Sequence, residues 1–575
     1  MPTIFDGIFI GRSGLHANQT SLNVAGNNIS NVNTPGYTKE RVNLHTAIPI
    51  FAQPGEFGTG VQVTEIVSFR DELIDRRVRA AYKEKAYYDK LNSTLDEVQN
   101  VFNEENGIGL KKAMEEFFNS WHALALNPDL FTARQQVLEK GQTLINNIKS
   151  SYDSLSDIQH NLDLRAEYIV DKVNSLSKRI AELNFEIQKN ELSEHDHANT
   201  LRDERGRLLD ELSQYANVDI LNDTSANNSK QDLTVLLGGV PIVTGKDYNE
   251  ISAEPKPGAT EKSVYFVYSS GEKLDITNKI FGGELGAVLE LRNKTIPEYK
   301  NQLNEISKSL IKEVNKLHSS GTGLTAYSQI IGTYYIKNVD ANVSNKISSG
   351  LDIAIKPGSF KVKVVDSSND NVGEYTVAVK KGDTIKNVID RFNGKLKDYA
   401  TMNISEGSQG KIQINTKNGY KVSFTYDSSF FLAATGINTF FNGHDASDMS
   451  VNSVLKNDPS KIAAGKTLLP GDSTNAENIA QLQLKKIMIN NSRTLDEYYN
   501  AFLGEIGSTK QRYADELTVK VSVVQQLKIT KESKEGVSLD EEAADLIRFQ
   551  RAYQANAKFI TVIDDMTQTL LGMVR

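Results

Sequence analysis

The chain has 575 residues, 65 Lys and Arg against 73 Asp and Glu, a net charge of −8 and no cysteine. Such a length is a prior for about four domains, and the missing thiols exclude disulfides, thiolate zinc sites and any cysteine nucleophile. The acidic balance gives no support to nucleic-acid binding, and no run approaches the roughly 18 apolar residues of a membrane-spanning helix, so neither nucleic acid nor membrane is expected as a partner.

In residues 1–33 only Asp6 and Arg12 are charged, while asparagines recur at 18, 23, 27, 28, 31 and 33. With Asp6 where a positive start is needed, the N-terminus does not read as a secretory signal. Ile8, Leu15, Leu22 and Ile29 keep a spacing of seven, and Ile4, Gly11, Asn18 and Ala25 fall at the other seam position. This predicts a helix with a narrow apolar stripe and a small-residue groove beside it. Asn33-Thr34-Pro35-Gly36 should end it, because proline disfavours helix at the residue before it and Pro-Gly makes a tight turn.

Residues of about 67–215 read as long helices. Ile169, Val173, Leu176, Ile180, Leu183 and Ile187 alternate steps of four and three, a coiled-coil seam. A small β patch is expected at 233–243 and 264–268, then helix at 296–317. Over 331–435 the period changes to two: Phe360-Lys-Val-Lys-Val and Tyr375-Thr-Val-Ala-Val alternate, and Asn418-Gly419 predicts a hairpin joining Ile412 and Ile414 to Val422 and Phe424. A short helix is expected at 384–392. From about 475 the chain reads as helical to its end. Ser538 with Glu541 is a capping-box pattern, and Leu539, Leu546, Tyr553 and Ile560, joined by Phe549, Ile563 and Leu570, carry a second heptad stripe.

The fold class is therefore α+β and multidomain, with coiled-coil-like terminal helices, a long-helix bundle and an inserted β-rich outer domain. The expected domains are 1–60 with 530–575 for assembly, 61–330 with 460–529 as a helix-rich core with a small β patch, and 331–459 as the insertion. Two terminal stripes that must be buried have each other as the obvious partner.

Three stretches come near to motifs that carry chemistry. His195-Asp196-His197, beside Glu191 and Glu194, reads as a solvated loop because no third ligand is in register. Gly465-Lys466-Thr467 lacks the earlier glycine of a phosphate loop, where Ser460 stands. The run from Asp366 through Asn369 to Asn371 lacks a calcium loop's glycine and closing Glu, and reads as a hairpin tip. No catalytic cluster, metal site or cofactor is expected, and the chain is not read as an enzyme.

The segment Leu22-Asn-Val-Ala-Gly-Asn-Asn-Ile-Ser-Asn-Val-Asn-Thr-Pro-Gly-Tyr37 resembles the signature of the bacterial flagellar rod and hook family of axial proteins. Residues 536–558, Gly-Val-Ser-Leu-Asp-Glu-Glu-Ala-Ala-Asp-Leu-Ile-Arg-Phe-Gln-Arg-Ala-Tyr-Gln-Ala-Asn-Ala-Lys, resemble its C-terminal partner signature. Residues 117–134, 282–286 and 436–447 are similar to the hook-associated branch of that family, whose hook and rod members lack the long helical interior. The resemblance implies a structural subunit joining hook to filament, exported unfolded through the flagellar type III channel to an extracellular place on the flagellum. Its implied partners are copies of itself in a helical assembly, the hook protein, a second hook-associated junction protein and an export chaperone at the C-terminal helix. A hook or rod protein, an enzyme displayed from 331–435 and a cytoplasmic coiled-coil adaptor are the alternatives.

Carried onto this chain, the expected assembly residues are Ile8, Leu15, Leu22, Asn27, Asn28, Ile29, Asn31, Asn33, Pro35, Gly36 and Tyr37 at one end. At the other they are Leu546, Phe549, Tyr553, Ile560, Ile563 and Leu570, with Leu546, Phe549, Tyr553 and Ile560 as the chaperone surface. The asparagine amides are expected to bond between subunits, against the plainer reading that they cap their own chain. Both ends are expected to be poorly ordered until neighbours cover them, since a narrow-stripe helix alone buries too little to offset its ordering entropy.

Overall fold

A computed structural model describes residues 4–53, 55–102, 109–193, 195–222, 233–368 and 370–573. The side chain of Ile4, and Glu194 and Asn369, named above, lie outside what is described. The chain divides into two compact units: residues 1–94, 161–294 and 511–575 form one, and residues 95–160 and 295–510 the other.

The first unit contains the N-terminal helix Ile4–Ser30, the later part of the helix Phe131–Asn190, the helix Asn199–Tyr215 and the C-terminal helix Leu539–Met573. The predicted seam is its spine: Ile169, Val173, Leu176, Ile180, Leu183 and Ile187 are all buried. The expected β patch is present as a four-stranded sheet containing Leu233–Leu237 and Val240–Thr244 and a three-stranded sheet centred on Lys262–Val267. An additional antiparallel ribbon pairs Glu40–Thr46 with Val61–Ser68, Arg41 opposite Val67, with a bulge after Asn43.

The second unit joins helices to the β-rich insertion. Leu110–Leu126 packs on the short helix Thr474–Ala480, which also meets Ile296–His318. The two stretches singled out at 117–134 and 436–447 lie against each other: the Trp121 ring is 5.4 Å from Phe440, and Phe117 is 5.5 Å from Phe441. Arg134 is buried there, donating to the carbonyls of Pro128 at 2.6 Å and Ile462 at 2.5 Å; burial lowers its pKa to about 10. His318 is fully buried, with Nδ1 2.7 Å from the Asn438 carbonyl and Nε2 accepting from the Ala463 N–H at 3.0 Å. Those partners fix a neutral imidazole with its proton on Nδ1, and burial brings its pKa down to about 4.

In the insertion, Gly358–Val365 pairs with Asn371–Val379, Phe360 opposite Val377, and the Asp366 N–H donates to the Asp370 carbonyl where the two strands close. The helix Ile385–Leu396 begins at a reciprocal cap between Thr384 and Asn387. The hairpin expected across Asn418-Gly419 is corrected. Both residues take positive φ, 51° and 77°, and the chain does turn, but the flanking strands join different sheets. Gln409–Thr416 lies between the strands at 329–331 and 400–406, whereas Lys421–Asp427 pairs with 358–365. In this arrangement Ile412, Ile414, Val422 and Phe424 reach one buried core from two sheets rather than side by side on one.

Helix from 475 to the end is also corrected. After a helical stretch to Leu484 the chain leaves helix until Leu495. Ile489, Asn490 and Asn491 take left-handed backbone angles there, and Met488 pairs back with Arg493.

Candidate assembly site at the paired termini

The first and last helices pack along each other, and the groove rather than the large-residue stripe makes the interface. Gly11, Gly14, Ala17, Ser21, Val24, Ala25 and Asn28 are buried, while Ile8, Leu15, Leu22 and Ile29 are half-buried. A Cβ on Gly11 would lie 2.5 Å from Ile560, one on Gly14 2.6 Å from Asn556, and one on Gly7 against Ile563. Glycine lets the two backbones approach to that distance. On the last helix Glu542, Leu546, Phe549, Asn556, Ile560 and Ile563 follow steps of three, four or seven, a single face; Glu542 is buried and the others half-buried. Tyr553 and Leu570, expected on that seam, share its face by spacing, seven residues from Leu546 and Ile563, but are more exposed, at 36% and 47%.

A second run of side chains on the same helix, Val562, Met566, Leu570 and Met573, recurs at helical spacing and is 45–77% exposed; Phe559 beside it is 43% exposed and keeps one edge 3.2 Å from where a Gly11 Cβ would lie.

The asparagines act at the end of the first helix. Asn28, buried, donates to the Glu40 carbonyl at 3.0 Å and the Glu542 carboxylate at 3.1 Å, and accepts from the Tyr37 hydroxyl at 2.8 Å and the Glu40 N–H at 3.0 Å. This fills the hydrogen-bonding capacity of the amide. Asn27 donates to Tyr37 and Glu40, and Asn31 donates back to Asn27. These three amides tie their own chain through the turn, and Asn28 has no capacity left for a neighbouring subunit. Their short side chains reach backbone groups freed where the helix stops. Asn33, Pro35 and Gly36 form an exposed turn, with Gly36 at φ +85°.

Below this turn an ionic clamp holds the strands to the base of the last helix. Thr38 gives its N–H and hydroxyl to Asp203 at 2.8 and 2.9 Å. Lys39 pairs with Glu541 and Glu542 at 3.0 and 3.1 Å; burial opposes its charge, but those two bonds carry its pKa upward. The Lys39 N–H donates to the Glu535 carbonyl, and the Glu535 carboxylate accepts from the Asp71 N–H at 2.8 Å. Asp75 is buried against Arg70 and Lys531. Burial pushes its pKa up, yet Arg70, Lys531 and Arg79 together hold it below the ordinary value. Burial raises Asp203 and Glu535 despite their bonds.

Gly7, Gly14, Asn556 and Glu542 are interface residues that the heptad reading missed; glycines at 7, 11 and 14, spaced four and three, were the signal for the groove. His197 faces Glu65 at 2.8 Å. Among the described residues no group of three or more His, Cys, Asp or Glu could hold a metal ion, and no helix is long and apolar enough to cross a membrane.

Family models match at both termini and in the middle. Residues 8–38 match the flagella basal body rod protein, residues 533–573 the C-terminal part of the flagellar basal body rod FlgEFG proteins, and residues 95–329 the helical domain of the flagellar hook-associated protein FlgK. Flagellar hook-associated protein 1 of Escherichia coli (strain K12) is 25% identical over 568 residues, 98% of each chain. The protein of that name from Bacillus subtilis (strain 168) is 24% identical over 100% of this chain and 99% of its own. The solved flagellar hook junction protein FlgK of Burkholderia pseudomallei shares the fold, with a TM-score of 0.51 at 16% identity, covering 79% of this chain and 99% of that one. Matched from end to end by such relatives, and by the models for both paired helices, the chain belongs to the family of flagellar hook-associated protein 1.

Proposed function

We propose that this chain is a structural subunit joining hook to filament in the bacterial flagellum, assembling through the paired terminal helices. The observation that carries the reading is the double-faced last helix: one face lies in the glycine groove of the first, and a second apolar stripe remains uncovered. Covering Phe559, Val562, Met566 and Leu570 returns about 1 kcal/mol each for the half of each side chain now exposed. Ile8, Leu15, Leu22 and Ile29, half-buried on the first helix, extend the offered surface. A contact of this kind that does not close on itself repeats into a helical stack.

The neighbours in that stack are copies of this chain, the hook protein and a second hook-associated junction protein. The chain reaches it by type III export, unfolded, and takes its final place outside the cell. Leu546, Phe549 and Ile560 face the first helix once the ends have paired, so a chaperone holding them with Tyr553 before export keeps the assembly element open. The role is mechanical rather than enzymatic.

Deletion of residues 538–575 tests the reading: filaments should fail to attach while hooks remain intact. Normal filaments in that mutant defeat it.

A further inference from the structure

Within the first unit, the start of the helix Glu72–Val101, the helix Asn199–Tyr215 and the strands Val218–Asn222 and Leu233–Leu237 surround a cavity of about 770 Å³. One wall is apolar, with Leu209, Val218, Ile220 and Leu233. The other brings together Arg70, Arg76, Arg79, Lys83, Arg202 and Arg205, six cations facing three acids, Glu72, Asp75 and Asp219.

Three of the arginines are answered by carboxylates. Arg70 pairs with Asp75 at 2.6 Å, Arg79 with Asp210 at 2.7 Å, and Arg202 with Glu191 through two bonds of 2.6 and 2.7 Å. Gly206 permits this crowding, since the Arg70 guanidinium occupies the space a Cβ there would need. Arg205 differs. It is half-buried, its hydrogen bond goes to the neutral amide oxygen of Asn184 at 2.8 Å, and among the described residues no carboxylate pairs with it. Burial first, and then the like charges of Arg202 and Arg70, with Arg79 a smaller contributor, push its pKa down to about 10; Glu191, which opposes them, is already engaged by Arg202.

A desolvated guanidinium among like charges lacks the counter-charge that normally accompanies burial. Its planar donors match the two oxygens of a carboxylate or phosphate. We propose that this cavity is an oxyanion-binding site, in which a carboxylate or phosphate-type group lies against Arg205, with Arg76 and Lys83 beside it. The group comes either from solution or from an acidic side chain of a neighbouring subunit.

Full-length protein is titrated with inorganic phosphate at constant ionic strength, following thermal unfolding and the phosphorus-31 line width. Tm should rise with phosphate concentration, and Arg205→Gln, which keeps a donor for Asn184 but loses the charge, should weaken binding at least about tenfold. Arg76→Ala, an exposed position, should weaken it by a smaller factor and keeps the test open if the first variant does not fold. A wild-type protein whose Tm and line width ignore phosphate overturns the proposal, as does an undiminished response in both variants. Once phosphate binding is established, filament attachment assigns the source. Its loss in R205Q with rescue by R205K supports a neighbour's acid, and its retention supports an anion from solution.

Discussion

The β-rich insertion and the terminal helix pair satisfy their apolar residues in opposite ways. In the insertion, Phe360, Val362, Phe392, Phe424 and Phe431 are wholly enclosed by their own segment. Along the last helix the fully buried residue is an acid, Glu542, and its large apolar side chains are half-covered or bare. One region is finished by its own sequence; the other leaves much of its apolar surface open. The difference places self-contained stability in the insertion and leaves association to the ends.

The sharpest way to break this contrast is to damage the finished core. Phe424→Ala should cost about 3–5 kcal/mol of stability by denaturant unfolding while leaving protease cleavage of the last helix unchanged. If cleavage of that helix rises in parallel, the two regions are not independent.

Acid should reach the second unit through His318. Its folded pKa, about 4, lies below the unfolded 6.5, so between those values the unfolded chain binds more protons. Stability is full above pH 6.5 and declines as pH falls through the window, by about 3 kcal/mol once below 4. His318→Gln should flatten that part of the curve measured by denaturant midpoints from pH 7 to 4; an unchanged slope removes His318 as the cause.

Gly11→Leu attacks the helix pair. Overpacking against Ile560 should cost about 1–3 kcal/mol and make both ends more readily cut in the purified monomer. Wild-type ends cut as readily as those of Gly11→Leu show instead that the pair is not formed in the purified monomer, the outcome expected if the ends order only on assembly. The smallest effect on the monomer belongs to Met566→Asp, within about 0.5 kcal/mol because the side chain is exposed; its consequence should appear as lost filament attachment.

Much of this was legible beforehand where periodicity decides the outcome. The seam from Ile169 to Ile187 and the alternation in 360–364 and 375–379 each announce a buried face. So does the groove beside Ile8, Leu15, Leu22 and Ile29, although the large stripe drew more weight than the glycines. Partner choice was not legible: Ile412, Ile414, Val422 and Phe424 alternate alike in a hairpin or in two sheets, because strand pattern reports burial and not pairing. The ribbon at 40–46 and 61–68 has its signal in the β-branched run Val61-Gln-Val-Thr-Glu-Ile-Val. Arg134, Arg205 and the amide of Asn28 were hidden for another reason: a polar side chain acquires its partners only when distant segments meet, as Asn28 and Glu542 do across 514 positions.

That separation has a consequence for timing. The fit of Ile560 and Ile563 over Gly11 and Gly7 joins segments roughly 550 positions apart, so it can form only after the second of them has been made. Closing so large a loop is slow relative to local folding, which leaves an interval in which the newborn chain stays threadable. A prematurely stopped product has no second half to the zip, and its opening helix remains unmatched as a mark of the fault.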